Sequence, residues 1–204
     1  MLNSKKFIFL LFFFPEIIFS DTCVSGDCMN GKGIKLFENG DKYDGNFQNG
    51  KFDGIGIYST EIKDKNGKIL SSKIYEGGWK NNKKAGKGKL TITKDGKKKI
   101  YSGKFSNGKL NGEGLLISNS EKYTGKFVNN RLNGYGRFEK QNGEKYIGDF
   151  IDHKFDGKGA YTFKDKSLYI GSFKKGKLHG AGRIFNSNHK LIKSGKWENG
   201  EFKN

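Results

Sequence analysis

The chain has 204 residues, enough for one domain with a core or for one extended array of repeats. Hydrophobic residues make up only 33% of the sequence, but an aromatic content of 14% argues against a wholly disordered chain. The 31 glycines lack a collagen-like period of three, and the formal net charge of +18 favours acidic partners, although solvated surface lysines would give the same value.

Residues 1–20 have the pattern of a secretory signal peptide. Lys5 and Lys6 precede an apolar run over 7–14, and the segment ends at Ser20. This run is too short to cross a bilayer, which needs about 20 apolar residues. We therefore expect an N-terminal signal helix, cleavage near Ser20, and export to the periplasm, the outer envelope or the medium. The acidic Glu16 near the cleavage position leaves an uncleaved anchor as the alternative.

Two cysteines follow in the segment 21–42, which we interpret as an N-terminal cap that contains a partial repeat. Because an exported chain meets an oxidising compartment, Cys23 and Cys28 are expected to form a disulfide. Lipid attachment at Cys23 is the alternative, although the residues before it fit a lipoprotein signal poorly. A metal site at this pair is disfavoured because the nearest histidine, His153, is far along the chain.

Six copies of one motif follow in the segment 43–204, and their first tyrosines are spaced 32, 26, 22, 23 and 23 residues apart. Each copy begins Tyr-x-Gly-x-aromatic and continues, after a turn, with Gly-x-Gly. A degenerate seventh copy closes the array near 193–200. The defining residues are Tyr43, Gly45, Phe47, Tyr75, Gly77, Trp79, Tyr101, Gly103, Phe105, Tyr123, Gly125, Phe127, Tyr146, Gly148, Phe150, Tyr169, Gly171 and Phe173.

Each motif predicts one β-hairpin. Sequences such as Asn49-Gly50 favour two-residue turns, because Asn and Gly both accept positive φ. The Tyr, Gly and second aromatic residue share one face of their strand, so we expect rings to lie over the bare glycine backbone. The predicted fold class is all-β: an elongated, twisted antiparallel meander of stacked hairpins, open like a half-barrel. The insertion around 61–72 is predicted to be an extended loop.

These residues resemble the MORN repeat, named for "membrane occupation and recognition nexus". The segment 101–114, YSGKFSNGKLNGEG, shows the motif in full, and the resemblance covers residues 30–202. Most copies depart from the family pattern by carrying Phe where Trp is usual. The resemblance implies a β-sheet array that acts as a scaffold or, in some proteins, as a contact module for acidic phospholipids.

The sequence contains no pattern that predicts catalysis. His153, His179 and His189 fall in turns or just after the repeat motif, and we interpret them as exposed residues without a catalytic partner. The Gly-x-Gly pairs lack the following helix that a dinucleotide site requires, and no zinc-ligand spacing occurs. We expect no cofactor, no bound metal and no enzyme activity.

The residue eight positions after each first tyrosine is basic in every copy. Stacked hairpins would place these charges on one edge of the sheet about 10 Å apart, which is close to the Debye length in physiological salt. The row is a candidate contact for an anionic surface, and the alternative is a solvated row that protects the sheet from edge pairing. Its residues are Lys51, Lys83, Lys109, Arg131, Lys154 and Lys177.

Two functions therefore follow from the sequence. The first is a non-enzymatic scaffold of the cell envelope or extracellular space with an unidentified protein partner. The second is a peripheral binder of anionic lipid membranes that uses the basic row. Nucleic-acid binding is disfavoured because it would require the chain to stay inside the cell.

Overall fold

A computed structural model describes residues 21–203, which form one antiparallel sheet of sixteen strands in chain order. The sheet is open, with β1 and β16 at its two edges. The predicted all-β meander is confirmed, and residues 21–203 contain no helix. The predicted signal peptide and its helix lie outside the described residues. The strands are β1 (Thr22–Gly26), β2 (Lys32–Leu36), β3 (Lys42–Gln48), β4 (Lys51–Lys63), β5 (Ile69–Lys80), β6 (Lys83–Lys94), β7 (Lys97–Ser106), β8 (Lys109–Ser118), β9 (Glu121–Val128), β10 (Arg131–Lys140), β11 (Lys145–Ile151), β12 (Lys154–Thr162), β13 (Leu168–Lys174), β14 (Lys177–Phe185), β15 (Leu191–Glu198) and β16 (Glu201–Lys203).

The turn inside each repeat has positive φ at both central residues, as the Asn-Gly sequences predict. Asn49 and Gly50 have φ of 49° and 70°. The units without an Asn-Gly pair adopt the same conformation: φ is 47° and 63° at Asn81 and Asn82. This geometry matches the twist of the flanking strands, so every unit closes as a tight hairpin.

The insertion around 61–72 is not a loop, contrary to the sequence prediction. Strand β4 continues to Lys63 and β5 begins at Ile69, with Ile62 paired to Ser71 across the ladder. Thr60 and Ile62 are β-branched and favour strand structure, and they outweigh the polar residues around them. The insertion therefore lengthens one hairpin of the sheet.

The hydrophobic core lies on one face of this single sheet. Along β3, Tyr43, Gly45 and Phe47 are buried, whereas Asn46 is exposed. The same alternation recurs in later units, because successive side chains of a strand point to opposite faces. We call the buried side the aromatic face and the opposite side the outer face. The fully buried rings and leucines of the aromatic face are Tyr43, Tyr75, Leu110, Phe127, Leu132, Tyr146, Phe150 and Tyr169.

The N-terminal edge of the sheet carries the disulfide. Cys23 lies in β1 and Cys28 in the turn that follows, and their sulfurs are bonded. The bond closes the first hairpin, whose strand β1 has a neighbour on one side only.

Candidate binding surface

One glycine from each of the strands β1 to β15 lies in a single row that crosses the sheet. Within one hairpin Gly45 pairs with Gly56, and between hairpins Gly56 pairs with Gly77. Fourteen strand spacings of about 4.8 Å make this glycine ladder roughly 67 Å long. Its members are Gly26, Gly33, Gly45, Gly56, Gly77, Gly88, Gly103, Gly114, Gly125, Gly136, Gly148, Gly159, Gly171, Gly182 and Gly195.

On the aromatic face, a tyrosine ring covers the ladder in four of the six complete units. A Cβ added to Gly56 would lie 2.4 Å from the hydroxyl oxygen of Tyr43, so only glycine fits under the ring. The Tyr43 hydroxyl donates a hydrogen bond of 2.9 Å to the carbonyl of Asn46, which keeps the buried hydroxyl partnered. Burial also raises the pKa of the equivalent Tyr75 to about 12. The covering residues are Tyr43, Tyr75, Tyr146 and Tyr169.

The two central units depart from the predicted ring-over-glycine packing. Tyr101 and Tyr123 are only half-buried, and the Tyr123 hydroxyl donates to Glu121 instead of a ladder strand. In the unit of Tyr101 leucine covers the ladder: Cβ atoms added to Gly103 and Gly114 would lie 3.2 and 3.3 Å from the methyl groups of Leu110. In the unit of Tyr123 a Cβ added to Gly136 would instead lie 3.3 Å from the ring of Phe150. Tyrosine, leucine and phenylalanine therefore all cover parts of the ladder.

The two glycines of each Gly-x-Gly pair have different roles. The second glycine belongs to the ladder. The first lies at a β-bulge with positive φ, for example 99° at Gly54 and 83° at Gly134. The bulge bends the even-numbered strand and lets its first residues pair with the turn end of the preceding strand.

Each hairpin turn is fastened to the preceding unit. The N–H of Asn130 donates to the carbonyl of Leu110, and the side-chain oxygen of Asn130 accepts the N–H of the same leucine at 2.7 Å. Asn82 forms the same pair of bonds with Phe52. These bonds couple neighbouring units through their backbones as well as through the sheet ladder.

His153 occupies the turn position of Asn82 and Asn130. It is exposed, as predicted, but its Nδ1 accepts the N–H of Leu132 at 3.3 Å. Burial of the ring nitrogen, with the nearby charge of Arg131 adding to it, lowers the pKa of His153. The imidazole is thus a structural acceptor that must remain neutral.

We expect this acceptor to make stability depend on pH. The folded-state pKa of His153 is lowered from its ordinary value near 6.5, so the folded chain binds fewer protons than the unfolded chain as the pH falls. The stability that neutral His153 contributes is fully present above about pH 6.5 and is lost as the pH falls through the lower folded-state pKa. The variant His153→Asn keeps a hydrogen-bond acceptor that does not titrate. In urea denaturation, its free energy of unfolding should therefore fall less between about pH 7 and 5 than that of the parent. An equal loss in both proteins would contradict this role.

On the outer face, two rows of side chains border the ladder and leave a groove whose floor is glycine backbone. Over β6 to β9 the groove is lined by four exposed lysines, which we call the basic segment: Lys87, Lys89, Lys104 and Lys126. Over β10 to β14 most of its lining side chains are apolar, although Lys158 and Ser172 also line it. We call the apolar residues the apolar segment: Tyr135, Ile147, Ala160, Ile170 and Ala181. The side chains that line the groove therefore change from basic to mainly apolar along its length.

The basic row predicted from the sequence lies at the turn end of the sheet. Each of its six residues is the first residue of an even-numbered strand from β4 to β14, and all are exposed. Arg131 is held by Asp152 at 3.1 Å, so one of the six charges has a carboxylate partner. Lys80 and Lys174 pair with Lys83 and Lys177 across their hairpins. Asp53 holds Lys80 at 3.1 Å, so its charge also has a carboxylate partner. We call the six predicted residues the turn-end row.

Residues 21–203 contain no cluster of three or more His, Cys, Asp or Glu side chains suited to holding a metal ion. In the same range no helix is long and apolar enough to cross a membrane. The three histidines lie apart: His153 in the turn after β11, His179 within β14, and His189 in the turn after β14. The predicted exposure of His179 is wrong, because this residue lies in a strand and is half-buried.

Comparison with known proteins identifies the repeats. The comparison with curated proteins found no match. Among solved structures, the E1021V mutant of the TCP10 domain of CPAP from Danio rerio is similar over 82% of this chain and 90% of that chain, with 14% identity and a TM-score of 0.20. The MORN repeat model matches seven segments: 25–42, 43–61, 75–97, 101–120, 123–145, 146–168 and 169–188. These matches cover more than half of the sequence, and the chain belongs to the MORN repeat family.

Proposed function

We propose that this protein is an exported, non-enzymatic scaffold that binds a partner protein along the groove of its outer face. MORN repeats are generally scaffold and binding modules. The observation that carries the proposal is the groove of the outer face, where exposed side chains of neighbouring strands border the ladder backbone from β6 to β14. A long, shallow strip with exposed flanks suits contact with an extended partner better than enclosure of a small substrate.

Export is supported by the sequence on both sides of the predicted cleavage position. The sequence 1–20 has the charged start and apolar centre of a signal peptide, and the disulfide between Cys23 and Cys28 suits an oxidising compartment. We infer cleavage near Ser20 and a place in the cell envelope or outside the cell. The N-terminal sequence of protein purified from the envelope fraction tests this part of the proposal, because an intact Met1 would contradict it.

A second candidate function is binding to anionic membrane surfaces through the turn-end row. Its residues share one end of the sheet and one face, and five of the six have no carboxylate partner within residues 21–203. A charge near an anionic bilayer contributes about 1 kcal/mol to binding. The exposed charges would act together, but salt would weaken them strongly.

One preparation of the mature chain separates the two candidates. The parent and the variant Lys51→Ser/Lys83→Ser/Lys109→Ser/Lys177→Ser are used for capture from the envelope fraction and for co-sedimentation with phospholipid vesicles. The scaffold role predicts that both proteins capture the same partner and that anionic and neutral vesicles bind equally little. Salt-sensitive binding of the parent to anionic vesicles, lost in the variant, supports the membrane role instead. If neither a partner nor vesicles bind, both candidates fail.

A further inference from the structure

The basic segment has four lysines and faces two glutamates across the strands. Lys87 pairs with Lys104 across β6 and β7, so two ammonium groups flank the ladder at the same point. Glu76 pairs with Lys89 and Glu113 with Lys126, which leaves an excess of positive charge. Within residues 21–203, none of the four lysines of the basic segment forms an ion pair. Their attraction is therefore available to an acidic ligand that lies on the glycine floor.

The apolar segment exposes side chains that soluble proteins usually bury. Tyr135 is 67% exposed, Ile170 48% and Ile147 39%. Ile147, Ala160 and Ile170 are consecutive partners across β11, β12 and β13, so they form one continuous strip. Arg137 borders the strip at one end, where Glu139 holds its guanidinium at 2.7 Å, and Arg183 borders it at the other end as the partner of Ile170. An exposed apolar strip beside a groove is typical of a contact site.

We propose that the groove binds an extended segment of a partner protein that is acidic at one end and aliphatic at the other. The acidic end lies over β6 to β9 and the aliphatic end over β10 to β14, with the segment crossing the strands along the glycine ladder. This inference rests on the proposed scaffold function and specifies the chemistry of the partner. The charge of the basic segment selects the acidic end, and burial of the isoleucines stabilises the other.

The arrangement favours a peptide over a membrane or a nucleic acid. A uniformly anionic surface gains nothing from the exposed Tyr135, Ile147 and Ile170. A bilayer is also too broad to enter a strip that is bordered by side chains on both sides. A single extended chain can follow the strip and meet both segments in turn.

The combined span of the two segments sets the length of the ligand. From β6 to β13 the groove crosses seven strand spacings, about 34 Å at 4.8 Å per strand. An extended peptide covers about 3.3 Å per residue, so about ten residues are needed to reach from the first lysines at β6 to Ile170 in β13. A shorter peptide would contact only part of this surface.

A synthetic peptide of about twelve residues tests the inference by fluorescence anisotropy with the mature chain. Its acidic half contains Glu and Ser, and its aliphatic half contains Ile and Ser. The comparison peptide has the same composition with Glu and Ile alternating. We expect the block peptide to bind at least about tenfold more tightly than the alternating one. Equal binding, or no binding of the block peptide at about 1 mM, would overturn the proposal.

Two sets of substitutions locate the peptide on the groove. The first variant removes the four charges of the basic segment and should weaken binding of the block peptide about tenfold: Lys87→Gln/Lys89→Gln/Lys104→Gln/Lys126→Gln. The second variant removes two apolar side chains and should weaken binding at any salt concentration: Ile147→Ser/Ile170→Ser. The matched control Lys51→Gln/Lys83→Gln/Lys109→Gln/Lys177→Gln removes the same charge from the turn-end row and should change binding less than about twofold.

The outcomes separate this inference from the proposed function. If the control weakens binding as much as the groove variant, general charge attraction explains the affinity and the inference fails. Displacement of the peptide by anionic vesicles would assign the groove to membranes and also overturn it. If envelope capture recovers a partner equally with the parent and both groove variants, the scaffold function stands and the inference alone is wrong.

Discussion

Replacing Gly159 with valine is expected to lower the free energy of unfolding by about 3 kcal/mol, because the new side chain has no space. A Cβ at this position would lie 2.4 Å from Cε2 of Tyr146, whose ring is fully buried. The ring cannot move aside easily, since its hydroxyl is hydrogen-bonded to the carbonyl of Asp149 at 2.9 Å. Strand propensity alone predicts the opposite sign, because valine favours strands and glycine weakens them. Urea denaturation followed by circular dichroism measures the change.

Two further variants identify the cause of this loss. Gly96→Asn is the matched control: Gly96 lies in a hairpin turn with φ of 72°, and a Cβ there would meet nothing within 4 Å. Asparagine tolerates this backbone conformation, so a change within about 0.5 kcal/mol is expected. Tyr146→Ala/Gly159→Val should cost less than the sum of its two single variants, because removal of the ring makes room for the valine. Additive losses would show that the ring is not what excludes the side chain.

Replacing Leu110 with alanine is expected to cost about 3 kcal/mol, because this leucine has taken the covering role in a central unit. Leu110 is fully buried, and its methyl groups lie over both Gly103 and Gly114. Tyr101→Ala in the same unit should cost less than half as much, because Tyr101 is only half-buried and does not cover the ladder. Tyr101 belongs to the defining motif and Leu110 does not, so the motif alone would predict the larger loss of stability for Tyr101→Ala.

The same measurements in an outer unit supply the control for this prediction. There Tyr169 is fully buried and covers Gly182, whereas Leu178 is only half-buried. Tyr169→Ala should therefore be more destabilising than Leu178→Ala. If tyrosine substitutions cost the same in both units, the units are equivalent and the two kinds of cover do not differ energetically.

The main features of the fold are predictable from the sequence because each has a local cause. Asn49-Gly50 specifies a tight turn, and the spacing of Tyr43, Gly45 and Phe47 places all three on one face of a strand. The extent of the ladder is less visible, because it depends on pairing between units as well as within them. The insertion before Tyr75 obscures this register: its residues read as a loop but pair as strand.

Other features depend on context that the motif does not carry. Tyr101 and Tyr169 occupy the same motif position, and each is followed nine residues later by leucine, yet only Tyr169 covers the ladder. The motif residues alone do not distinguish the two tyrosines. The role of His153 was missed as well, although Asn82 and Asn130 at the same turn position were a usable signal. The groove could not be predicted until the outer residues of successive strands were in register.

The bonds that fasten each turn to the unit before it fix the length that each repeat adds to the sheet. Every unit adds two strands and therefore about 10 Å to the length of the sheet. A unit contacts only its neighbours, so duplication or deletion of one whole repeat would change this length in equal steps while keeping the glycines aligned. Selection on the size of a partner could thus act through repeat number alone, without any change to the motif.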